Sequence, residues 1–275
     1  MSRIPADAAA ARRANRAQWD ALARVHGQDR YYDTDALVAG ADSLREAEAA
    51  GLRLAVGAVA GLDVIHLQCH IGFDSVSLAR RGARVTGVDF SAASLDKARE
   101  VARRCGVDVA FVRADAADLP VELHGRFDLV YATLGVLCWI ADLGAWMRSV
   151  AAALRPGGRL LLVEIHPLYQ MFASLGPPVL DFPYAFDGGR EFDEDGSYAD
   201  PDAHVESTRT VVFAHSLGET VSAALGAELR VETLEEHLDA DLDPRGDVAE
   251  EADGRYRVRL GGEALPMLFT LVARR

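Results

Sequence analysis

The chain has 275 residues, 50% of them hydrophobic, and carries 29 basic against 42 acidic side chains for a formal net charge of −13. That length and apolar content allow a sizeable core and exclude general disorder, so one large domain, with or without a cap, is expected. The acidic balance has the wrong sign for a surface that neutralises many phosphates, which argues against nucleic acid as partner.

The stretch from Met1 to Trp19 is charged and Ala-rich without an apolar signal region, and no run of about 18 apolar residues occurs, so neither export nor a membrane is expected. Cys69, Cys105 and Cys138 are odd in number, widely spaced and not in a paired pattern, which fits a reducing cytoplasm.

In chain order, Pro5 stands where a first helical turn tolerates it, and the Ala-, Arg- and Leu-rich run through Val25 predicts a helix stopping at Gly27. A second helical stretch spans Ser43 to Ala60, interrupted near Gly51 and Gly57. Residues 1–60 are expected to form an N-terminal helical lid, with the main domain over 61–275. Strands are predicted at Asp63–Leu67, Arg84–Val88, Val107–Val112, Phe127–Thr133 and Arg159–Ile165. Helices over Ser75–Arg81, Ser91–Cys105 and Leu143–Leu154 lie between them, with stops at Gly82, Gly106 and Pro156-Gly157-Gly158. This alternation is the pattern of βαβ units, and the near-continuous apolar strands match a parallel sheet covered on both faces, an α/β doubly wound fold.

The rhythm breaks over His166–His204, where Gly, Pro, Asp and aromatic residues cluster, as in Gly176-Pro177-Pro178 and Asp181-Phe182-Pro183-Tyr184. Such a stretch is read as a functional cap over about residues 166–205. Glu206–Phe213 then predicts a strand, Ser216-Leu217-Gly218-Glu219 a helix capping box, and Glu228–Thr233 and Leu265–Ala273 two more strands joined by an acidic segment.

The chemistry concentrates where the first strand ends, in Val64-Ile65-His66-Leu67-Gln68-Cys69-His70-Ile71-Gly72-Phe73-Asp74, a strand, a tight turn and a helix. Seventeen residues beyond Gly72 stands Asp89, at the end of the next strand. A carboxylate there can accept hydrogen bonds from the ribose hydroxyls of a nucleoside lying across the first two strand ends, which points to an adenosine cofactor. A dinucleotide needs its pyrophosphate against bare backbone, and Gln68 and His70 occupy places where glycine would provide it. The turn therefore suits the compact amino-acid end of S-adenosylmethionine (SAM) better than NAD. Asp115, in Arg113-Ala114-Asp115-Ala116 after the third strand, can accept from an adenine amino group, and it follows a strand at the same sheet edge as Asp89.

On these residues the chain resembles the class I SAM-dependent methyltransferases, and within them a bacterial branch whose first motif reads Leu-Gln-Cys-His-Ile-Gly. The resemblance runs from about Asn15 to the C-terminus through Val85–Ser91, Leu154-Arg155-Pro156-Gly157-Gly158, Gly196-Ser197-Tyr198-Ala199-Asp200-Pro201 and His215-Ser216-Leu217-Gly218-Glu219. It implies a Rossmann-like seven-stranded sheet with an antiparallel last strand and SAM at the carboxyl ends of the first strands, yielding S-adenosylhomocysteine as product. It further implies that Gln68, His70 and Gly72 lie along the methionine part, that Asp89, Phe90 and Ser91 face the ribose and adenine, that Asp115 and Ala116 meet the adenine edge, and that Thr133 sits near the sulfonium. His66 departs from the pattern, standing where many relatives carry an acidic residue that helps hold the amino group.

Trp19, Tyr31 and Tyr32 precede the core and are expected to close over the cofactor, aromatic faces suiting an adenine or a sulfonium, with packing against the sheet as the other reading. His166, after the fifth strand, is the best-placed general base, ahead of His215, because a histidine exchanges a proton near neutral pH. His66, Cys69 and His70 are read as packing and turn residues rather than zinc ligands, there being no second ligand pair at the usual spacing. Tyr169, Phe172, Phe182, Tyr184 and Phe186 suggest a partly apolar acceptor pocket in the cap.

The function expected is methyl transfer from SAM to an O or N atom of a small metabolite, driven mainly by placement, since the methyl group is already activated. Two alternatives remain: an NAD-type oxidoreductase, and a SAM-binding module without transfer activity.

Overall fold

The computed structural model describes residues 7–275 apart from 28, 30, 176, 177, 194, 201, 207, 208, 244 and 247. Pro5, Gly176, Pro177 and Pro201 of the sequence patterns lie outside the described residues.

Helix α1 (Ala8–Val25) starts at Asp7, whose carboxylate accepts the Ala9 N–H. Asp33 caps a short helix α2 (Thr34–Val38) that the sequence pattern did not indicate, and α3 (Glu46–Val56) leads into the sheet. The alternating core then runs β1 (Asp63–Leu67), α4 (Phe73–Arg80), β2 (Arg84–Asp89), α5 (Ala92–Arg104), β3 (Val109–Arg113), β4 (Phe127–Thr133), α6 (Leu143–Ala153) and β5 (Leu154–Ile165). Next come α7 (Pro167–Gln170), the hairpin β6 (Phe172–Leu175) and β7 (Pro178–Leu180), and the pair β8 (Arg190–Asp193) and β9 (Arg209–Val212). The chain closes with α8 (Leu217–Gly226), β10 (Arg230–His237), the hairpin β11 (Val258–Leu260) and β12 (Glu263–Leu265), and β13 (Leu268–Arg274).

The central sheet has seven strands in the order β10-β13-β5-β4-β1-β2-β3, with β13 antiparallel to both its neighbours and the pairs from β5 to β3 parallel. Side chains alternate between the two faces, as strand geometry requires. Ile65, Leu67, Val130, Ala132, Leu160 and Leu162 pack with Trp146, Met147 and Val150 of α6 and Ala224 of α8. Val64, Leu129, Tyr131, Leu161 and Val163 pack with Leu52 and Ala55 of α3 and Leu78 of α4 on the other. Burying each of these large side chains contributes roughly 1.5–3 kcal/mol.

Residues 1–60 do not behave as one unit. Helix α3 belongs to the core layer, lying so close to β5 that a Cβ at Gly51 would come within 2.8 Å of Leu161 Cδ1. Helix α1 instead packs on α5 and β9. There Asn15 takes the place of a strand partner, donating from Nδ2 to Val211 O and accepting from Val211 N, each at 2.8 Å.

The region expected to lack periodicity, 166–204, contains α7, β6, β7 and β8. Its strands are three or four residues long and pair outside the central sheet, so no alternation lasts long enough to be read. The last strand begins at Leu268 rather than Leu265 because Pro266 separates it from β12. The capping box is present, with Glu219 N–H donating to Ser216 Oγ at 3.2 Å and Ser216 N–H to Glu219 Oε2 at 2.8 Å. Among the described residues no helix is long and apolar enough to cross a membrane.

Between β3 and β4 the chain crosses back to the far side of β1. The resulting switch point between β1 and β4 opens a crevice at their carboxyl ends, where doubly wound sheets bind ligands.

Candidate active site

That crevice is a cavity of about 670 Å³, within the size range of small-molecule sites. Its floor is the turn after β1. Gln68 and His70 adopt left-handed φ values of 53° and 49°, a conformation costing roughly 1–2 kcal/mol per side-chain-bearing residue. Hydrogen bonds to other elements of the fold offset that cost. The Gln68 amide donates to Val136 O at 2.9 Å and accepts from Trp146 Nε1–H at 3.1 Å, while His70 N–H donates to Asp89 Oδ2 at 2.9 Å. Gln68 thus shapes the wall with both ends of its amide spent on the scaffold. Gly72, at φ 80°, caps α4, and a Cβ there would meet Ala98 Cβ at 2.9 Å.

Asp89 is buried at the end of β2, and its Oδ1 accepts the Ser91 N–H at 2.8 Å. Burial pushes its carboxyl up to about 6 despite these donors. Phe90, Asp115 and Ala116 line the same end of the cavity. Asp115 Oδ1 accepts the Ala117 N–H at 2.9 Å, and its Oδ2 pairs with Arg12 Nε of α1 at 2.8 Å. Ser91 lies outside the cavity wall: its hydroxyl caps α5 and donates to Asp20 Oδ1 of α1 at 2.6 Å.

The opposite end is formed by α3, α4 and the ends of β1 and β4. His66 lines it, with Nδ1 2.9 Å from Ser75 Oγ, and burial lowers the ring to about 4. Asp74 accepts from Ser43 Oγ at 2.6 Å and from Thr133 Oγ1 at 3.3 Å. Glu48 Oε2 accepts the Arg45 N–H at 2.7 Å. Burial first, and the nearby charge of Asp74 second, raise the Glu48 carboxyl to about 8.

Over the middle stand Trp19, Tyr31, Tyr32, Trp139 and Tyr198. Trp19 meets His70 and Trp139 edge-on at 4.9 and 5.4 Å. Tyr32 and Tyr198 share a hydroxyl–hydroxyl bond at 2.5 Å, and Tyr31 donates to Asp243 O at 3.1 Å. His26 at the end of α1 connects the turn to the insertion: its Nδ1 is 2.7 Å from His70 Nε2, and its Nε2 is 2.7 Å from Ser197 Oγ. Burial lowers His26 to about 4 and, with the charge of His26 added, holds His70 well below its ordinary value. The two rings therefore meet neutral near pH 7.

His166 does not line the cavity. It caps α7, its Nδ1 accepting the Leu168 N–H at 3.1 Å, and its Nε2 lies 2.9 Å from Glu236 Oε1. Both ring nitrogens are occupied away from any acceptor, so the general-base expectation is corrected. His215 likewise hydrogen-bonds Ile140 O at 2.7 Å behind the wall. The five aromatics expected to frame the acceptor also lie off the cavity. Tyr169 and Phe172 pack in a separate cluster with Met267 and Leu268, Phe182 packs on Phe192, Tyr184 is exposed, and Phe186 stacks on Phe213 and His215. From the cap the cavity receives Tyr198. His66 and His70 line the cavity, but among the described residues no group of three or more His, Cys, Asp or Glu is placed to hold a metal.

Sequence reasoning missed Glu48, Arg12, His26, Trp139 and Glu164. Glu164, buried at the end of β5, accepts the N–H groups of Gly135, Val136 and Leu137 at 2.6–2.8 Å and so holds the loop to which Gln68 is tied. An acidic residue inside an otherwise apolar strand was its one available signal.

Residues 64–158 match a family model described as a methyltransferase domain. The ubiquinone biosynthesis O-methyltransferase of Methylobacterium sp. (strain 4-46) is 36% identical over 115 residues, covering 42% of this chain and 45% of that protein. The protein of the same name from Pseudomonas aeruginosa (strain UCBPP-PA14) is 33% identical over 120 residues, covering 43% of this chain and 51% of its own. The chain spans about half the length of the curated relatives it matches. Among solved structures, an S-adenosylmethionine-dependent methyltransferase from Mesorhizobium loti superposes with a TM-score of 0.56 at 25% identity, over 86% of this chain and 100% of that one. The geranyl diphosphate C-methyltransferase of Streptomyces coelicolor A3(2), solved with S-adenosyl-L-homocysteine, shares the fold at 19% identity, with a TM-score of 0.52 over 83% of this chain and 78% of its own. The fold is the Rossmann-like architecture of these class I methyltransferases.

Proposed function

We propose that this chain is a SAM-dependent methyltransferase that methylates an oxygen atom of a small acceptor. The observation that carries the reading is the left-handed turn Gln68–Gly72 with Asp89 bonded to its centre at the β1–β4 switch point, inside the segment that matches a methyltransferase domain. Side chains fill the places where a dinucleotide loop presents bare backbone, whereas Asp89 offers a buried acceptor to ribose hydroxyls, and Asp115 and Ala116 an edge to adenine. The O-methyltransferase relatives support oxygen as the atom modified.

Bound SAM supplies a methyl group on a sulfonium centre, already activated for a nucleophile. The work of the chain is placement and exclusion of water. Asp89 and Phe90 hold the nucleoside, Gly72 lets α4 start close against the turn, and Trp19, Trp139 and Tyr198 roof the cavity. Helix α1 and the Ser197–Tyr198 segment act together as the lid, because His26 ties the segment to the turn. Three unpaired cysteines support a cytoplasmic setting.

Calorimetric titration with SAM, S-adenosylhomocysteine and NAD tests the reading, followed by an acceptor screen with labelled methyl groups. Saturable binding of the first two and not of NAD is expected. Binding of NAD alone overturns it.

A further inference from the structure

One end of the cavity has an electrostatic character that the methyl-transfer reading does not use. Glu48, on α3 and outside the matched segment, is 3% exposed and lines the cavity together with Asp74 of α4, whose charge it feels. A glutamate at the third position of a helix ordinarily caps it in solvent. Here the cap bond from Arg45 N–H is made, yet the Glu48 carboxylate is buried beside a second acid, an arrangement that disfavours its charge.

Against the two acids the surrounding groups set one cation, Arg45, which lines the same cavity and favours the charged form of Glu48. Arg45 stands at the start of α3 itself, β1 contributes His66, and β4 contributes Tyr131 and Thr133. His66 is neutral near pH 7, is 3% exposed and lines the cavity, and its Nε2 has no hydrogen-bond partner among the described residues. At the other end, by contrast, Asp115 already has Arg12. The two ends of the cavity therefore differ: Asp115 is paired with Arg12 at one, and two acids share Arg45 at the other.

We propose that Glu48 and Asp74 form the subsite for the ammonium group of the cofactor's amino-acid end. This rests on the SAM reading above. An ammonium carries three donors and one positive charge, matching two carboxylates and a neutral imidazole. The adenosine end has no such group, so the polarity of the cavity also sets which way round the cofactor lies. Glu48 and Asp74 thereby do what an acid at the end of β1 cannot do here, because His66 occupies that place.

The test uses S-adenosylhomocysteine, which carries the ammonium, and 5′-methylthioadenosine, which keeps the adenosine and thioether but has no amino acid. Both are titrated calorimetrically into the full chain and into Glu48→Gln and Asp74→Asn. Glutamine still accepts the Arg45 N–H, so the first variant removes charge while keeping the cap. Each variant is expected to weaken S-adenosylhomocysteine binding about tenfold or more, the scale of a charge-assisted contact, with methylthioadenosine affinity changing less than about twofold. Equal losses for both ligands, or unaltered S-adenosylhomocysteine binding in either folded variant, overturn the subsite alone. A wild-type chain that binds neither ligand overturns the cofactor reading with it.

Discussion

The substitution Asp89→Asn probes the centre of the site, because Asp89 holds the turn after β1 and is the acceptor proposed for the ribose. Its two carboxylate oxygens accept the N–H groups of His70 and Ser91 at 2.9 and 2.8 Å. Asparagine keeps one oxygen and turns an NH₂ group toward the other donor, leaving one buried N–H unpaired at a cost of about 1–3 kcal/mol. At about 2–4 °C per kcal/mol for a chain of comparable size, the melting temperature should fall by several degrees with the protein still folded. Loss of the charged acceptor for ribose hydroxyls should cost a further ~1.5–3 kcal/mol in binding, roughly 10- to 100-fold in Kd. Thermal melts and calorimetry with S-adenosylhomocysteine, run between about pH 5 and pH 8, separate the two effects. Because burial pushes Asp89 up to about 6, the wild-type carboxylate takes a proton as pH falls through that value. Its affinity should decline there, while the Asn variant stays flat. A folded variant whose affinity lies within about twofold of wild type at pH 8 refutes the ribose role.

Glu48 makes a stability prediction of opposite sign to that of an ordinary paired carboxylate. Its folded value, about 8, lies above the reference 4.5, so the native state holds the proton longer than the unfolded chain, and stability falls as pH rises through that interval. Glu48→Gln without ligand should therefore gain in melting temperature over wild type progressively from about pH 4.5 to pH 8; a difference independent of pH would contradict the burial argument. Gln68→Ala leaves the Val136 carbonyl and the Trp146 Nε1–H without their partner, and urea unfolding should show a loss of about 2–3 kcal/mol; a loss below about 0.5 kcal/mol would mean the amide is not holding the wall. His166→Ala should cost about 1 kcal/mol through the α7 cap and leave S-adenosylhomocysteine affinity and methyl-transfer turnover unchanged. A tenfold fall in turnover in single-turnover assays would return His166 to a catalytic role.

Much of the scaffold was legible locally. The bounds of β1 and β4 coincide with the predicted Asp63–Leu67 and Phe127–Thr133 because strands covered on both faces are predominantly apolar. Asp89, Phe90, Asp115 and Ala116 line one cavity, since successive parallel strands bring their carboxyl ends to one edge. Gln68 and His70 were also recognisable as side chains in places suited to glycine, and both take left-handed φ.

What the sequence by itself determined, then, was the doubly wound sheet and the edge at which its cavity opens, because hydrophobic period, turn residues and strand-end carboxylates are all short-range properties. Only the tertiary structure decided the fate of the individual polar groups. Folding α3 against β5 brought Glu48 opposite Asp74, laying α1 along α5 brought Arg12 to Asp115 and His26 to His70, and pairing β10 beside β13 brought Glu236 to His166 and withdrew that histidine from the site. These partners come from elements far apart in the chain, and whether a carboxylate or an imidazole is spent or available depends on that partner and on burial, neither of which leaves a mark in the residues on either side.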